Sequence, residues 1–277
     1  MTKIPEPKYD YQVDRLVKMY KRAVRDIYRT LDRIDISNMT RALSAAALKE
    51  VAEVLSSLNE ESAAWVAENI PVAVQNGALT TLVALDVKDA EKITSFSRLN
   101  RELIEAVVAD TQSDLLAVTQ NIDRKVRTTI RQVTAESMRA NMTRGVNGRK
   151  TMNRTILEGL QKKLGDAVNT GIIDAAGRRW KPEVYVDMVT RTKMLAAHRE
   201  STVNEAVSRK AYYGVISRHG ATDACRSWEG RIVKLVVVAP GDYPYIGELP
   251  RREIFHVNCK HVITPLRDPK IFEANPT

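Results

Sequence analysis

The chain lacks most of the devices that stabilise a small secreted protein. Two cysteines in 277 residues cannot form a disulfide framework. Aromatic residues make up only 5% of it. The apolar residues are therefore mainly Ala, Val, Leu and Ile, a mix better suited to long helices packed through narrow seams than to one thick globule. No apolar run approaches the ~20 residues of a membrane-spanning helix. The opening MTKIPEPKYDY has no apolar core segment, so it does not read as a secretory leader. The expectation is synthesis in the cytoplasm, with reduced thiols. Internal repeats and low-complexity tails are also missing.

What remains is substantial. Hydrophobic residues are 44% of the chain and the formal net charge is +9. The length allows one large domain or two modest ones. A moderate, dispersed positive charge has two readings: ordinary solvated helix faces, or surfaces that gain from counterion release near DNA.

Pattern along the chain predicts a mainly α protein. Residues 1–8 contain two prolines and read as an extended lead-in. Val13, Leu16, Tyr20, Val24, Ile27, Leu31 and Ile34 then recur in steps of three and four, a seam of heptad type. Lys18, Lys21, Arg22, Arg25, Arg29 and Arg33 lie on the other faces. Ser37 or Asn38 is expected to cap a second helix ending near Leu58, with a new start at Asn59–Glu60–Glu61. Pro71 should kink or end that helix, and Gly77 weakens its continuation. Residues 86–94 read as a connection. The longest helical run, 97–144, keeps Leu115, Val118, Ile122, Val126, Ile130, Val133 and Ser137 on one seam and would reach on the order of 70 Å. Gly145 and Gly148 break it. A domain boundary is expected there, giving a helical assembly arm over 1–147 and a small α+β module with a short antiparallel sheet over 148–277. Within the module, a helix over 151–168 precedes a hairpin around 175–177. A further helix, opened by Pro182, should run to about Tyr213, bury Tyr185, Val189, Met194, Ala197, Val203 and Val207, and end on Gly214 as a left-handed cap. Residues 236–251, rich in Pro and Gly, read as a surface loop.

Chemistry concentrates in residues 215–266, which hold both cysteines and three of the four histidines. Cys225, Cys259 and His261, with His219 or His256, are the right residue types for a tetrahedral zinc site. The expected set is His219, Cys225, Cys259 and His261, a structural zinc with no open coordination position. His256 to His261 is expected on a late strand. The competing reading is a hydrogen-bonded β-core around Trp228. A nucleophilic Cys259 between two histidines lacks a recognisable oxyanion donor. A nuclease centre drawn from FHVNCKH lacks the following helix. Arg191 is either solvated or buried against Asp174 or Asp187.

The ordered series DAAGRRW, MVTRT, SRHG with Cys225, WEG and FHVNCKH resembles tailed-phage minor capsid proteins. More narrowly it resembles the phage minor capsid protein 2 family, akin to head-morphogenesis proteins of the Mu protein F type. The resemblance covers about residues 171–266. It falls on Gly177, Arg178, Trp180, Arg191, Thr192, His219, Trp228, Gly230, Asn258, Cys259 and His261, with His256 inside the last motif. Two positions depart: Glu229 stands where Gln is common, and Cys225 stands alone where Mu-F-like relatives carry C-x-x-C. The resemblance implies a non-enzymatic structural protein of the phage head, present in multiple but few copies. Its partners would be the portal protein or major capsid protein, and packaged double-stranded DNA through the basic faces. It would reside in the virion, at the capsid interior or portal vertex, without contacting a membrane. Two other classes stay open: an injected effector or metal-dependent enzyme centred on the His/Cys cluster, and a non-specific DNA-binding protein.

Overall fold

A computed structural model describes residues 7–88, 96–147, 154–169, 172–173 and 177–274. The order is α1 (Asp10–Asp32), α2 (Arg41–Ala84), α3 (Arg98–Asn147), α4 (Arg154–Asn169), β1 (Ile172–Ile173), β2 (Arg179–Trp180), α5 (Pro182–Ser208), β3 (Tyr213–Ile216), β4 (Ile232–Lys234), β5 (Ile263–Leu266) and α6 (Pro269–Ala274). The mainly α class with a small C-terminal sheet is what the pattern predicts. No helix among the described residues is long and apolar enough to cross a membrane.

The chain forms two compact units. One combines Met1–Gln12, Val66–Thr111 and Met188–Thr277; the other combines Val13–Trp65 and Gln112–Asp187. Each draws on both sides of the boundary expected near residue 148, which itself lies outside the described residues. The reason is that α2, α3 and α5 each contribute residues to both units.

In the second unit, Val13, Leu16, Tyr20, Ile27 and Leu31 of α1 are buried. All seven expected seam residues of α3 are buried as well. Polar bonds fix the helices along their length. Tyr20 donates to the Leu115 carbonyl at 3.3 Å, Gln112 to that of Ala63 at 3.1 Å, and Ser137 to that of Ile36 at 2.6 Å. The α1 seam is therefore satisfied within the chain. The expected cap at Ser37 or Asn38 is not used: Thr40 Oγ1 accepts the Leu43 N–H and opens α2. Asp35 and Ser37 instead belong to a preceding 3-10 turn. The α4 helix pairs Lys163 with Glu136 at 3.0 Å. The expected hairpin pairs Ile172 with Trp180 and Ile173 with Arg179, and Arg178 lies over the Trp180 ring. Gly177 has φ 76 beside it.

The α2 helix runs on through Asn59 in the second unit and, in the first, through Pro71 and Gly77, where the pattern predicts breaks. An internal proline costs roughly 3 kcal/mol. Burial of Ile70, Ala73 and Val74 around it offsets that cost. Gly77 is present for close approach rather than for termination: the backbone of His198 on α5 packs directly against its Cα. Ser201 donates to the Val74 carbonyl at 2.6 Å and Thr202 to that of Gly77 at 3.0 Å. The α5 helix is buried on nearly every side here, with His198, Arg199, Ser201, Thr202 and Glu205 inside. It ends at Ser208, not Tyr213, because Lys210 takes the left-handed conformation at φ 58. Gly214 is a strand residue; a side chain there would overlap Ile263.

The sheet order is β4-β3-β5, antiparallel throughout. Strand alternation divides its side chains between two clusters. Tyr213, Val215, Ile232 and Leu266 pack on one face. Ile216, Val233 and Ile263 pack on the other with Cys225, Trp228, Phe255 and Cys259.

Candidate metal centre

The second face of the sheet carries the thiols. After β3 the chain turns at Gly220 and enters a 3-10 helix, Ala224–Trp228. Asp223 caps that helix, its Oδ1 accepting the Cys225 N–H at 3.1 Å. Before β5, residues 256–260 form a turn where the pattern predicts a strand, because Phe255 and Asn258 adopt left-handed φ values of 58 and 63. The Cys259 N–H donates to the His256 carbonyl at 3.0 Å and closes it. The Asn258 N–H donates to Thr192 Oγ1 at 3.2 Å, anchoring the turn to α5. Thr192 itself donates to the Met188 carbonyl at 2.7 Å. Two separated sequence motifs thus serve one piece of geometry.

The two sulfurs lie 3.7 Å apart, and both cysteines are buried and unbridged. His256 Nε2 is 2.9 Å from Cys225 Sγ, and His261 Nδ1 is 3.3 Å from Cys259 Sγ. The ligand-type atoms of Cys225, His256 and Cys259 all fall within 4.8 Å of one another. Cys225 and Cys259 thus lie together with His256, while His261 touches Cys259 but groups with His219 and Glu229. His219 does not join the sulfurs, contrary to the sequence expectation. It is exposed, its ring lies 4.0 Å from that of His261, and it forms a second cluster with Glu229 and His261. His256 holds the place beside Cys225.

Outer groups orient these side chains. The Glu229 carboxylate accepts the backbone N–H groups of His219 and Ala221 at 2.9 and 3.0 Å, which hold its pKa down at about 2. Its Oε1 is 3.2 Å from His261 Nε2. The side chain of His256 also meets Asp223, with Nε2 3.3 Å from Oδ2. Burial and the charge of Cys259 push the Cys225 thiol up. Burial also opposes ionisation of Cys259, but hydrogen bonds from the His261 ring and backbone outweigh it and lower that thiol. Arg199, buried, lies 4.7 Å from the Phe255 ring centroid. Burial brings its pKa down to about 10, with the charge of Cys259 acting against that. Trp228 closes the cluster; its Nε1 donates to Glu253 at 3.0 Å and Arg231 lies over its ring. Gly230 follows in the turn to β4, with φ 74.

Arg191 pairs with Asp10, and Asp174 lies outside the described residues. The sequence reading gives no role to Asp223 or Arg199 and notes Glu229 only as a departure from the family pattern. Asp223 and Glu229 are remote in sequence from the turn they face. Arg199 sits on a helix whose all-round burial erases any amphipathic signal.

Among known families, the model for phage minor capsid protein 2 matches residues 5–266 of the chain. No curated protein and no solved structure matches the chain.

Proposed function

The chain belongs to the phage minor capsid protein 2 family, and from that premise we propose that it docks on the portal or the inner capsid surface and aids head assembly, DNA packaging or ejection. The observation that carries this reading is the extent of the family match, which takes in nearly the whole chain and residues of both units. A structural role in the phage particle follows from the family itself; the partner and the stage of assembly are our reading. The α1 seam is consumed internally, so assembly contacts use outward faces. Candidates include the loop bearing Val237 and Val238, which are 64% and 90% exposed. Packaged DNA would meet exposed Lys18, Lys21 and Arg25. Arg22 and Arg29 on the same helix, and Arg33 just after it, already face Glu61, Asp26 and Glu50, which tempers that surface. We read the protein as non-catalytic from its family; burial of both thiols argues specifically against a cysteine nucleophile, which must be reachable.

Quantitative mass spectrometry of purified particles tests this directly. The chain should be present at far lower copy number than the major shell protein, and it should form a complex with co-expressed portal or shell protein. Absence from DNA-filled particles together with failure to bind either partner would overturn the reading. DNA contact through the basic faces predicts affinity that falls steeply with salt; a flat dependence would remove DNA from the set of partners.

A further inference from the structure

We propose that Cys225, His256, Cys259 and His261 bind one structural zinc ion. The donor set is two thiolates and two imidazoles, which selects a soft or borderline ion in tetrahedral geometry. Distances agree with that geometry before any ion is placed. Two thiolates at ~2.3 Å from a tetrahedral zinc stand about 3.8 Å apart, and these sulfurs are separated by 3.7 Å. A thiolate and an imidazole nitrogen on the same ion stand about 3.5 Å apart, against 3.3 Å for Cys259–His261 and 2.9 Å for Cys225–His256. The last pair must open, by about 0.6 Å on that comparison, and His261, which touches Cys259 but falls outside the group formed by Cys225, His256 and Cys259, must swing towards them.

The tautomers are also set. His256 Nδ1 donates to the Val257 carbonyl at 2.8 Å, leaving Nε2 to face Cys225. In His261 the assignment is reversed: Nε2 donates to Glu229 at 3.2 Å, leaving Nδ1 to face Cys259. A ligating histidine whose other ring nitrogen is held by a carbonyl or carboxylate is the usual outer arrangement of a metal site. Here both histidines have it, and in both the other ring nitrogen lies beside a sulfur, with His256 Nε2 also 3.3 Å from Asp223 Oδ2. His219 falls outside the set; its backbone N–H helps to hold Glu229. Four protein ligands leave no vacant position, so the ion cross-links the 3-10 helix, the turn and the approach to β5 and performs no chemistry.

The test uses the full chain, produced with zinc supplied and purified without chelator. Elemental analysis should find one zinc per chain. X-ray absorption should find two sulfurs at ~2.3 Å and two nitrogens at ~2.0–2.1 Å. Cys225→Ser, Cys259→Ser and His256→Ala should each bring zinc to background, whereas His219→Ala should retain one equivalent. Cobalt substituted into the wild-type chain should give thiolate charge-transfer bands and intense visible bands of a tetrahedral site. The absorption and cobalt measurements need no variant, so they decide even if the cysteine variants fail to fold. A wild-type chain that is fully folded and metal-free, or one with Cys225 and Cys259 joined in a disulfide, would overturn the proposal. Zinc lost from His219→Ala but kept by His256→Ala would overturn the ligand assignment.

Discussion

The crossing of α2 and α5 makes Gly77→Ala a sharp test of the packing. In an ordinary helix interior the change should stabilise by about 1 kcal/mol, since glycine loses more backbone entropy on folding than alanine. Here the new methyl would overlap the His198 carbonyl oxygen and lie 2.9 Å from its carbon and 3.1 Å from its Cα. All three atoms are backbone, so no side chain can rotate away. Relief requires α5 to move off α2, which strains the bonds from Ser201 to Val74 and from Thr202 to Gly77. Overpacking costs about 1–3 kcal/mol, and each weakened buried bond adds about 1 kcal/mol. These terms exceed the gain in propensity and leave a net loss of roughly 2–4 kcal/mol. For a chain of this size that lowers Tm by roughly 3–7 °C. Gly159→Ala supplies the control: Gly159 is also helical, and a methyl added there would meet nothing within 4 Å. Its substitution should stabilise by up to about 1 kcal/mol. Calorimetry of both variants, with circular dichroism to confirm helix content, reads the two signs. Equal stabilisation by both substitutions would refute the close crossing.

Other outcomes follow from the same structure. Burial, aided by the charge of Arg199, lowers the His198 pKa to about 4; the unfolded chain therefore takes up a proton that the folded chain refuses as pH falls from 6.5 to 4, and roughly 3 kcal/mol of stability is lost across that window and none from this group above it. Denaturant titrations should show His198→Gln with a shallower loss than wild type between those pH values; identical slopes would show that His198 is not held neutral. Trp228→Ala should cost about 3–5 kcal/mol, whereas a loss under about 1 kcal/mol in equilibrium unfolding would place Trp228 outside the core. A fragment of residues 1–147 lacks segments of both units and should self-associate or be partly unfolded; a monomer with a sharp cooperative melt and compact scattering would contradict this.

Legibility in the sequence follows periodicity. The α3 seam is readable because its buried residues keep one spacing from Leu115 to Ser137. The end of α5 is not, because a glycine carries two possible meanings, terminator or close contact, and Gly214 serves the second beside Ile263. The capping conformation falls on Lys210, which carries no such signal. Pro71 misleads similarly, since tertiary burial outweighs a local preference. At the candidate metal centre the residue types are readable but their grouping is not. His256, Cys259 and His261 look like a strand in sequence, and only the left-handed Phe255 and Asn258 turn His256 toward Cys225.

The unit that carries the cluster also constrains when the protein can finish folding. Tyr9 is hydrogen-bonded to His198 at 2.9 Å across 189 residues, and Asp10 is paired with Arg191 across 181. At ribosomal speeds of roughly 5–20 residues per second, the first partner of each pair waits about 10–40 s for the second. During that interval α1 can settle only its other contacts, and the first unit has no closed form. Completion of this unit is thus a late, long-range event that awaits the C-terminal segment. A nascent chain stalled before residue 191 would present Tyr9 and Asp10 without the residues that bury and pair them.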